Sequence, residues 1–301
     1  MNKIGLHICY LRSTPYECDL CKAIPLVKNA GLDILEVSMA KILPLSPEER
    51  HQIRAVATDQ GMILTANGGP SEEYDISADS TATREKGIEY CKRMLQAVAD
   101  IGAGLLCGIN YSLWLRHPEN LLTAEEKARI WGLSVDSLKK ILPTAENLGI
   151  QYCFEIVNRF EGFLLNTAEE GISFIRDVQS PNAKLLLDTY HMNIEEDNLF
   201  EAIKKAKEER VLGHLHVGET NRRVPGIGPS HFQWNELFKT LHNVTYEGHI
   251  VMEPFVRMGI PTAMDACVWR DLTKHQSIGE FMQDATIGAE FIRRGIQTAQ
   301  G

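Results

Sequence analysis

The chain has 301 residues, of which 44% are hydrophobic and 24% charged, the composition of an ordinary globular protein. No apolar stretch approaches the roughly 20 residues that a membrane-spanning helix needs, so we expect no membrane partner. The net charge of −9 repels phosphate backbones and anionic lipids, which disfavours a nucleic acid partner and favours a neutral small molecule.

Short apolar runs alternate with longer amphipathic segments along the whole chain, a pattern typical of repeated strand and helix units. The first run follows the N-terminus directly and lacks the small-residue cleavage site of a signal peptide, so we interpret it as a strand. The predicted strands cover residues 3–9, 32–38, 62–68, 103–108, 151–157, 183–188, 211–217 and 248–254.

Helical periodicity fills the segments between these strands. The cap signal Ser46-Pro47 begins one predicted helix, which should end at Gly61. Two further periodic stretches, 123–149 and 167–178, predict helices, and the second opens with the capping-box sequence TAEE.

About eight strand and helix units emerge, the number that a (β/α)₈ TIM barrel requires. A doubly wound open sheet also alternates strands and helices, but neither GxGxxG nor GxxxxGK[ST] follows the first strand. We therefore predict a xylose-isomerase-like TIM barrel, formed as a single domain by residues 1–301, with its chemistry at the carboxyl ends of the strands.

The seven cysteines form an odd, scattered set, which is typical of reduced thiols in a cytoplasmic protein. We expect a cytoplasmic location and no disulfides. Cys18 and Cys21 have CxxC spacing, but no second pair accompanies them and a helical pattern follows. We interpret them as two small residues at a helix start, in preference to a redox or zinc site.

The last four predicted strands each end, or nearly end, in a residue that can ligate a cation. These residues are Glu155, Asp188, His214 or His216, and Glu253. An ion pair at the barrel rim would explain any one carboxylate, but burying four such groups is costly unless a metal holds them. The mixture of carboxylate and imidazole favours Mn²⁺, Co²⁺, Fe²⁺ or Zn²⁺.

The two histidines of GHLHVGE lie two residues apart, so both should face the barrel interior. His216 is nearer the carboxyl end of its strand and is the better candidate ligand. His214, one layer deeper, is then a core histidine or a donor behind the ligands.

Five stretches of the second half stand out, several of them long enough to be specific: EIVNRFE (155–161), LDTYHMNIEE (187–196), GHLHVGETNR (213–222), MEPF (252–255) and VWRDL (268–272). They resemble the D-tagatose and D-psicose (D-allulose) 3-epimerase family, and the order of elements agrees along the whole chain. The resemblance implies a sugar-isomerase type of TIM barrel that interconverts C3 epimers of ketoses, such as D-fructose and D-psicose. It also implies Mn²⁺ or Co²⁺ as cofactor, with Mg²⁺ as a third option, and a homodimer or homotetramer.

The resemblance makes Glu155, Asp188, His216 and Glu253 the metal ligands, and Glu155 and Glu253 also the catalytic acid/base pair. Two carboxylates suit this chemistry, because inverting a carbon next to a ketone requires proton removal from one face and delivery to the other. The expected intermediate is a cis-enediolate, which a metal stabilises as a Lewis acid.

The resemblance also makes Glu161, His191 and Arg222 the residues that hold the O1 to O3 end of the sugar. Trp114 and Phe255 are candidates for stacking on the carbon face of its far end.

The chain departs from the family pattern at four positions that bear on the C4 to C6 end of the substrate. His7 and Leu11 stand where members commonly carry aromatic residues, and Asn67 and Gly68 replace the small hydrophobic or Cys residues of some members. We include His7 among the predicted substrate-binding residues.

Three alternatives remain open from the sequence. An aldose/ketose or inosose isomerase would use similar carboxylates on the same barrel. A metal-dependent endonuclease would need more His and acidic ligands and a basic face, which the net charge of −9 opposes. A non-catalytic sugar-binding barrel should lack one of the two glutamates, and both are present.

Overall fold

Eight parallel strands close into a barrel in chain order, with the first strand paired to the last. This arrangement, seen in a computed structural model that describes residues 2–118, 120–273 and 277–299, confirms the predicted (β/α)₈ fold. The strands are β1 Ile4–His7, β2 Ile34–Ser38, β3 Ile63–Asn67, β4 Leu105–Gly108, β5 Gln151–Ile156, β6 Ala183–Asp188, β7 Leu212–Val217 and β8 His249–Met252.

Helices cover the outside of the barrel. They are α1 Leu20–Asn29, α2 Met39–Ile42, α3 Pro47–Asp59, α4 Thr81–Asp100, α5 Ala124–Leu148, α6 Ala168–Val178, α7 Thr189–Glu195, α8 Leu199–Glu208, α9 Trp234–Asn243, α10 Pro261–Asp265 and α11 Ile278–Thr298, with 3₁₀ turns at Ile8–Leu11 and Glu72–Tyr74. Among the described residues, no helix combines the length and the apolar character needed to cross a bilayer.

The strands are apolar runs because helices cover one face and the barrel interior the other. The predicted strands agree closely with the observed ones, except that β1 and β8 each end two residues early. After β1, residues Ile8–Leu11 form a 3₁₀ helix, and the His7 side chain caps that turn by accepting a hydrogen bond from the backbone N–H of Cys9.

The predicted helix boundaries follow from their caps. Ser46 and Glu49 form a capping box at the start of α3, and Thr167 forms another at α6. The long helix α5 begins after the N-cap Thr123 and ends at Gly149, whose φ of +67° favours glycine.

All seven cysteines are free thiols in the structure. Cys18 is exposed and precedes Asp19, the N-cap of α1, and Cys21 is half-buried in the first turn of that helix. The helical interpretation of the CxxC segment is therefore confirmed.

Candidate active site at the barrel mouth

The barrel brings four ligand atoms together at the carboxyl end of its last four strands. Glu155 lies in β5, Asp188 ends β6, His216 lies in β7 and Glu253 directly follows β8. One ligand atom of each lies within 4.8 Å of the others, and all four side chains are buried. Of the two histidines, it is His216 that joins this quartet.

His216 is oriented from behind by a residue that the sequence reasoning missed. Its Nε2 lies 2.6 Å from Oε1 of Glu36, a fully buried carboxylate on β2. Its Nδ1 is buried and has no hydrogen-bond partner among the described residues, although it points toward Glu253 Oε2 at 3.4 Å. The Glu36 contact therefore leaves Nδ1 as the atom available to a cation.

Glu36 gathers four donors around one carboxylate. Its Oε2 lies 3.0 Å from His214 Nε2 and accepts hydrogen bonds from Thr65 at 2.8 Å and from the Cys107 thiol at 3.3 Å. His214 is thus the donor behind the ligands that the strand pattern allowed. The available sequence signal was a single charge at an inward position of the apolar strand ILEVS.

Arg222 is a buried cation that contacts the quartet directly. Its Nη1 donates to Asp188 Oδ2 at 2.9 Å and to Glu253 Oε2 at 2.8 Å, and its Nη2 lies 3.1 Å from His191 Nε2. The guanidinium also packs on the rings of Tyr190 and Phe255. Burial alone would lower the pKa of Arg222, but Asp188 and Glu253 outweigh it and raise the pKa, so the side chain stays charged.

The loop after β7 holds Arg222 in an unusual backbone conformation. Its φ is +62°, in the left-handed region that few side chains adopt. The Arg222 N–H donates to the Glu219 carbonyl at 2.8 Å, and the Arg222 carbonyl accepts from Phe255 N–H at 3.0 Å. The buried Glu219 side chain in turn accepts a hydrogen bond from the Trp234 indole at 3.0 Å, which anchors the loop to α9.

The predicted sugar-binding residues form one connected group beside the quartet. His191 Nδ1 lies 2.7 Å from the Asn158 amide nitrogen, which also donates to Glu161 at 3.2 Å. Glu161 accepts a second hydrogen bond from the Trp114 indole at 2.8 Å. Trp114, predicted only as a stacking surface, therefore also orients Glu161, and Asn158 is a second residue that the sequence reasoning missed.

The two candidate acid/base residues sit in different electrostatic environments. Burial raises the pKa of Glu155, with the nearby Glu253 charge adding to the shift. Burial would also raise the pKa of Glu253, but the positive charges of His216 and Arg222 outweigh it and lower the pKa. Two carboxyl groups whose pKa values are shifted in opposite directions are suited to hold one proton between them.

A cavity of about 220 Å³ opens onto this site. Of the predicted site residues, all except Asp188 and His216 line it: His7, Trp114, Glu155, Glu161, His191, Arg222, Glu253 and Phe255. Asn67 and Gly68, two of the positions that depart from the family pattern, line it as well, whereas Leu11 is fully buried in the core. The structure thus brings all of the predicted site residues to one place.

A second cavity, of about 590 Å³, lies at the opposite end of the barrel. Residues near the amino ends of the strands line it, such as Met62, Gly104, Gln151 and His249. None of the predicted site residues does. We place the chemistry at the smaller cavity, because that is where titratable groups converge and where barrel enzymes carry their active sites.

The quartet has the chemistry of a divalent-cation site. Three carboxylates and one imidazole suit a hard or borderline ion, and within the described ranges no hydrogen bond engages the buried His216 Nδ1, which is left as a ligand atom. The donor set therefore fits a divalent metal.

Comparisons with known proteins agree with this geometry. A family model described as "Xylose isomerase-like TIM barrel" matches residues 24–272. The D-psicose 3-epimerase of Agrobacterium fabrum is 40% identical to this chain over 89% of it and 90% of the relative.

Two solved structures extend the likeness to three dimensions. One, a D-psicose 3-epimerase crystallised in the presence of D-fructose, has a TM-score of 0.90 at 37% identity, covering 98% of this chain and 99% of the other. The second, a D-psicose 3-epimerase with D-tagatose from Clostridium cellulolyticum H10, has a TM-score of 0.91 at 34% identity, with the same coverage.

Proposed function

This chain belongs to the ketose 3-epimerases on the xylose isomerase-like TIM barrel, and we propose that it inverts C3 of a ketohexose with Glu155 and Glu253 as acid and base. The observation that carries the proposal is the convergence of these two carboxylates with Asp188 and His216, all within 4.8 Å. Proton removal from one face and delivery to the other requires two groups, and this site has two.

The proton transfers belong to the two glutamates. For one epimer Glu155 removes the C3 proton while protonated Glu253 delivers a proton to the opposite face, and the roles reverse for the other epimer. Each carboxylate has two oxygens, so one can serve as a ligand while the other faces the sugar. The raised pKa of Glu155 and the lowered pKa of Glu253 favour the state with Glu155 protonated and Glu253 ionised, which is the starting state for the other epimer.

We propose that the quartet holds one divalent cation through Glu155, Asp188, His216 and Glu253. Mn²⁺ is the preferred candidate, and Co²⁺ and Mg²⁺ are alternatives. A bound cation there supplies Lewis-acid stabilisation for the negative charge that develops on the substrate oxygens. The carboxylate-rich donor set favours Mn²⁺ over ions that prefer sulfur.

The remaining residues bind and orient the sugar. Arg222 and His191 present donors next to the quartet, and Glu161 accepts from a hydroxyl, so these three hold the O1 to O3 end. Trp114 and Phe255 contact the far end, with His7 on the same cavity wall. The relatives named for D-psicose, and the structures with D-fructose and D-tagatose, support a ketohexose as substrate.

Three further proposals concern the whole protein. We propose a cytoplasmic location from the odd, scattered set of cysteines, and a homodimer or homotetramer from the family resemblance. We also propose that residues 1–301 form one domain.

The test is incubation of the Mn²⁺-loaded protein with D-fructose, D-psicose, D-tagatose and L-ribulose in D₂O, followed by NMR. We expect deuterium at C3 together with the 3-epimer. Glu155→Gln and Glu253→Gln should each lower the rate of epimerisation by about 10²- to 10⁴-fold, the usual contribution of a general acid or base. Glu236→Gln, at an exposed ion pair with Lys239, is the matched control and should keep full activity.

Three outcomes would contradict the proposal. If no ketose gains deuterium at C3, or if both glutamine variants keep full activity, the two-glutamate mechanism is wrong. If an aldose accumulates at equilibrium, the aldose/ketose isomerase alternative replaces it.

A further inference from the structure

A second group of ligand atoms lies on the wall of the active-site cavity. His7, Cys9 and Glu253 each place one ligand atom within 4.8 Å of the others, and all three side chains are buried. His7 and Cys9 lie at the end of β1 and in the 3₁₀ turn after it, beside the end of the neighbouring strand β8. All three line the cavity, so an ion can reach them from solvent.

The two oxygens of Glu253 face different neighbours. Oε2 contacts Arg222 at 2.8 Å and His216 at 3.4 Å, on the side of the quartet. Oε1 lies 3.8 Å from His7 Nδ1, on the side of Cys9. Glu253 can therefore contribute one oxygen to the quartet and the other to the second group.

Neither His7 nor Cys9 is fully engaged by the protein. His7 Nδ1 accepts one hydrogen bond, from the Cys9 N–H at 3.2 Å, and His7 Nε2 is buried without a hydrogen-bond partner in the described part of the chain. The Cys9 thiol has a long contact of 3.6 Å to the Pro254 carbonyl. The side chains are held in place but keep ligand atoms free.

We propose that His7, Cys9 and Glu253 form a separate binding site for a thiophilic divalent cation, such as Zn²⁺ or Cd²⁺. Thiolate with imidazole and carboxylate is a donor set of the zinc type, whereas the quartet contains no sulfur and suits harder ions. On binding, the Cys9 thiol releases its proton to solvent and the thiolate forms the metal–sulfur bond.

The consequence for catalysis rests on the proposed function. An ion bound to Glu253 Oε1 occupies the oxygen that remains free to exchange a proton with the sugar. Zn²⁺ or Cd²⁺ should then inhibit the Mn²⁺-loaded protein without removing its Mn²⁺. The binding site itself does not depend on epimerase activity.

A third cluster, Glu36, Cys107, His214 and His216, has similar chemistry but a different environment. Its four side chains have no exposed surface, and Cys107 Sγ, His214 Nε2 and His216 Nε2 already bond to the Glu36 carboxylate. An ion would have to break these contacts and has no open path to them. The cavity-wall group is therefore the site that the geometry favours.

The experiment uses sulfur spectroscopy on a protein without accessible competing thiols. In a Cys18→Ser, Cys21→Ser, Cys267→Ser background loaded with Mn²⁺, Cd²⁺ is titrated while the ultraviolet thiolate-to-cadmium charge-transfer band is recorded. We expect the band to saturate at one Cd²⁺ per chain. Electron paramagnetic resonance, which detects free Mn²⁺, should show that no Mn²⁺ is released. Cys9→Ser should abolish the band. His7→Phe should weaken Cd²⁺ binding by more than about tenfold, because losing only an outer partner of a ligand costs 10- to 100-fold.

Direct location of the ion keeps the proposal testable if a variant fails to fold. Anomalous scattering from a Cd²⁺-soaked crystal should show a peak beside Cys9 Sγ, distinct from the quartet. The proposal is overturned if no charge-transfer band appears, if the band survives Cys9→Ser, or if the peak lies only at the quartet or at Cys107. A protein that shows the band but no C3 exchange would retain this site and lose the proposed function.

Discussion

Glu36 has no exposed surface and is stable as a carboxylate only because donors surround it. His214, His216, Thr65 and Cys107 supply those donors from three other strands. Such a carboxylate fixes the ring orientation of His216 and increases its basicity, as outer carboxylates do at other metal sites. Glu36 is thus a positioning residue for the proposed metal site.

The Glu36 contact predicts how metal affinity depends on pH. Burial would lower the pKa of His216, but the charges of Glu36 and Glu253 outweigh it and raise the pKa well above its ordinary value. Protons therefore compete with the cation for His216, so Mn²⁺ affinity should rise with pH and binding should release protons. Of the two carboxylates, Glu36 raises the pKa of His216 more. Glu36→Gln removes this charge, so it should lower the His216 pKa and make Mn²⁺ affinity depend less on pH.

Isothermal titration calorimetry with Mn²⁺, repeated in buffers of different ionisation enthalpy between about pH 6 and 9, measures both quantities. Glu196→Gln is the matched control, because Glu196 accepts a hydrogen bond from the Ala168 N–H, at the start of α6, and not from a residue of the quartet. An unchanged proton release in Glu36→Gln would show that Glu36 does not set the His216 pKa.

Trp114 has two proposed roles, stacking on the sugar and orienting Glu161 through its indole N–H, and one substitution can separate them. Trp114→Phe keeps an aromatic face but loses the donor to Glu161. We expect KM for the ketose to rise about three- to tenfold, with a smaller change in kcat. This is a small effect for the loss of a hydrogen bond to a charged group, because Trp114 is partly exposed.

Steady-state kinetics on Trp114→Phe and Trp131→Phe make the comparison. Trp131 donates to Asp177 in the same way, on the outside of the barrel, so its variant should leave KM unchanged. Equal KM values for both variants and the unaltered protein would mean that the Glu161 contact does not affect substrate binding.

At the scale of elements, the sequence predicted what depends on local patterns. The strands were predictable because a parallel barrel buries both faces of each, and α5 because Thr123 and Gly149 cap it. The early end of β1 was not predictable from the sequence, because it depends on the hydrogen bond that the His7 side chain accepts. The contacts of Glu36 were also unpredictable, since its histidine partners lie 178 and 180 residues away in the chain.

Close packing of α11 on α9 leads to a prediction about stability. A Cβ at Gly295 would meet three atoms of the Phe238 ring, the farthest at 2.5 Å, so Gly295→Ala should destabilise the protein by about 1–3 kcal/mol. Gly132, in the middle of α5, has open space around it. Gly132→Ala should instead stabilise by about 0.5–1 kcal/mol, the ordinary gain for alanine in a helix.

Urea unfolding of the two variants gives both free energies of unfolding under the same conditions. Gains of similar size in both would show that the Phe238 ring moves aside at little cost.

At the scale of the whole molecule, the proposed cation connects four strands of one closed sheet. Three carboxylates within 4.8 Å of one another repel each other, and a divalent ion removes that repulsion only in the folded chain. Metal binding should therefore stabilise the fold as a whole.

Removal of metal with a chelator should lower the melting temperature, and added Mn²⁺ should restore it. At a free Mn²⁺ concentration of about 100 times Kd, the expected gain is about 2.7 kcal/mol. Differential scanning calorimetry across a Mn²⁺ series measures this gain. Asp188→Asn, which weakens a ligand and keeps its size, should lose most of the dependence on Mn²⁺; an identical dependence would exclude Asp188 from the site.

The closure of β1 against β8 also has a consequence for synthesis on the ribosome. The four proposed ligands enter the chain in order from residue 155 to residue 253, and the last of them follows the strand that seals the barrel. A nascent chain that still lacks β8 has neither a closed sheet nor Glu253. Cation capture at the quartet would then occur only after β8 and Glu253 have been synthesised, so the metal would select chains with a closed barrel and could not guide the folding of the earlier strands.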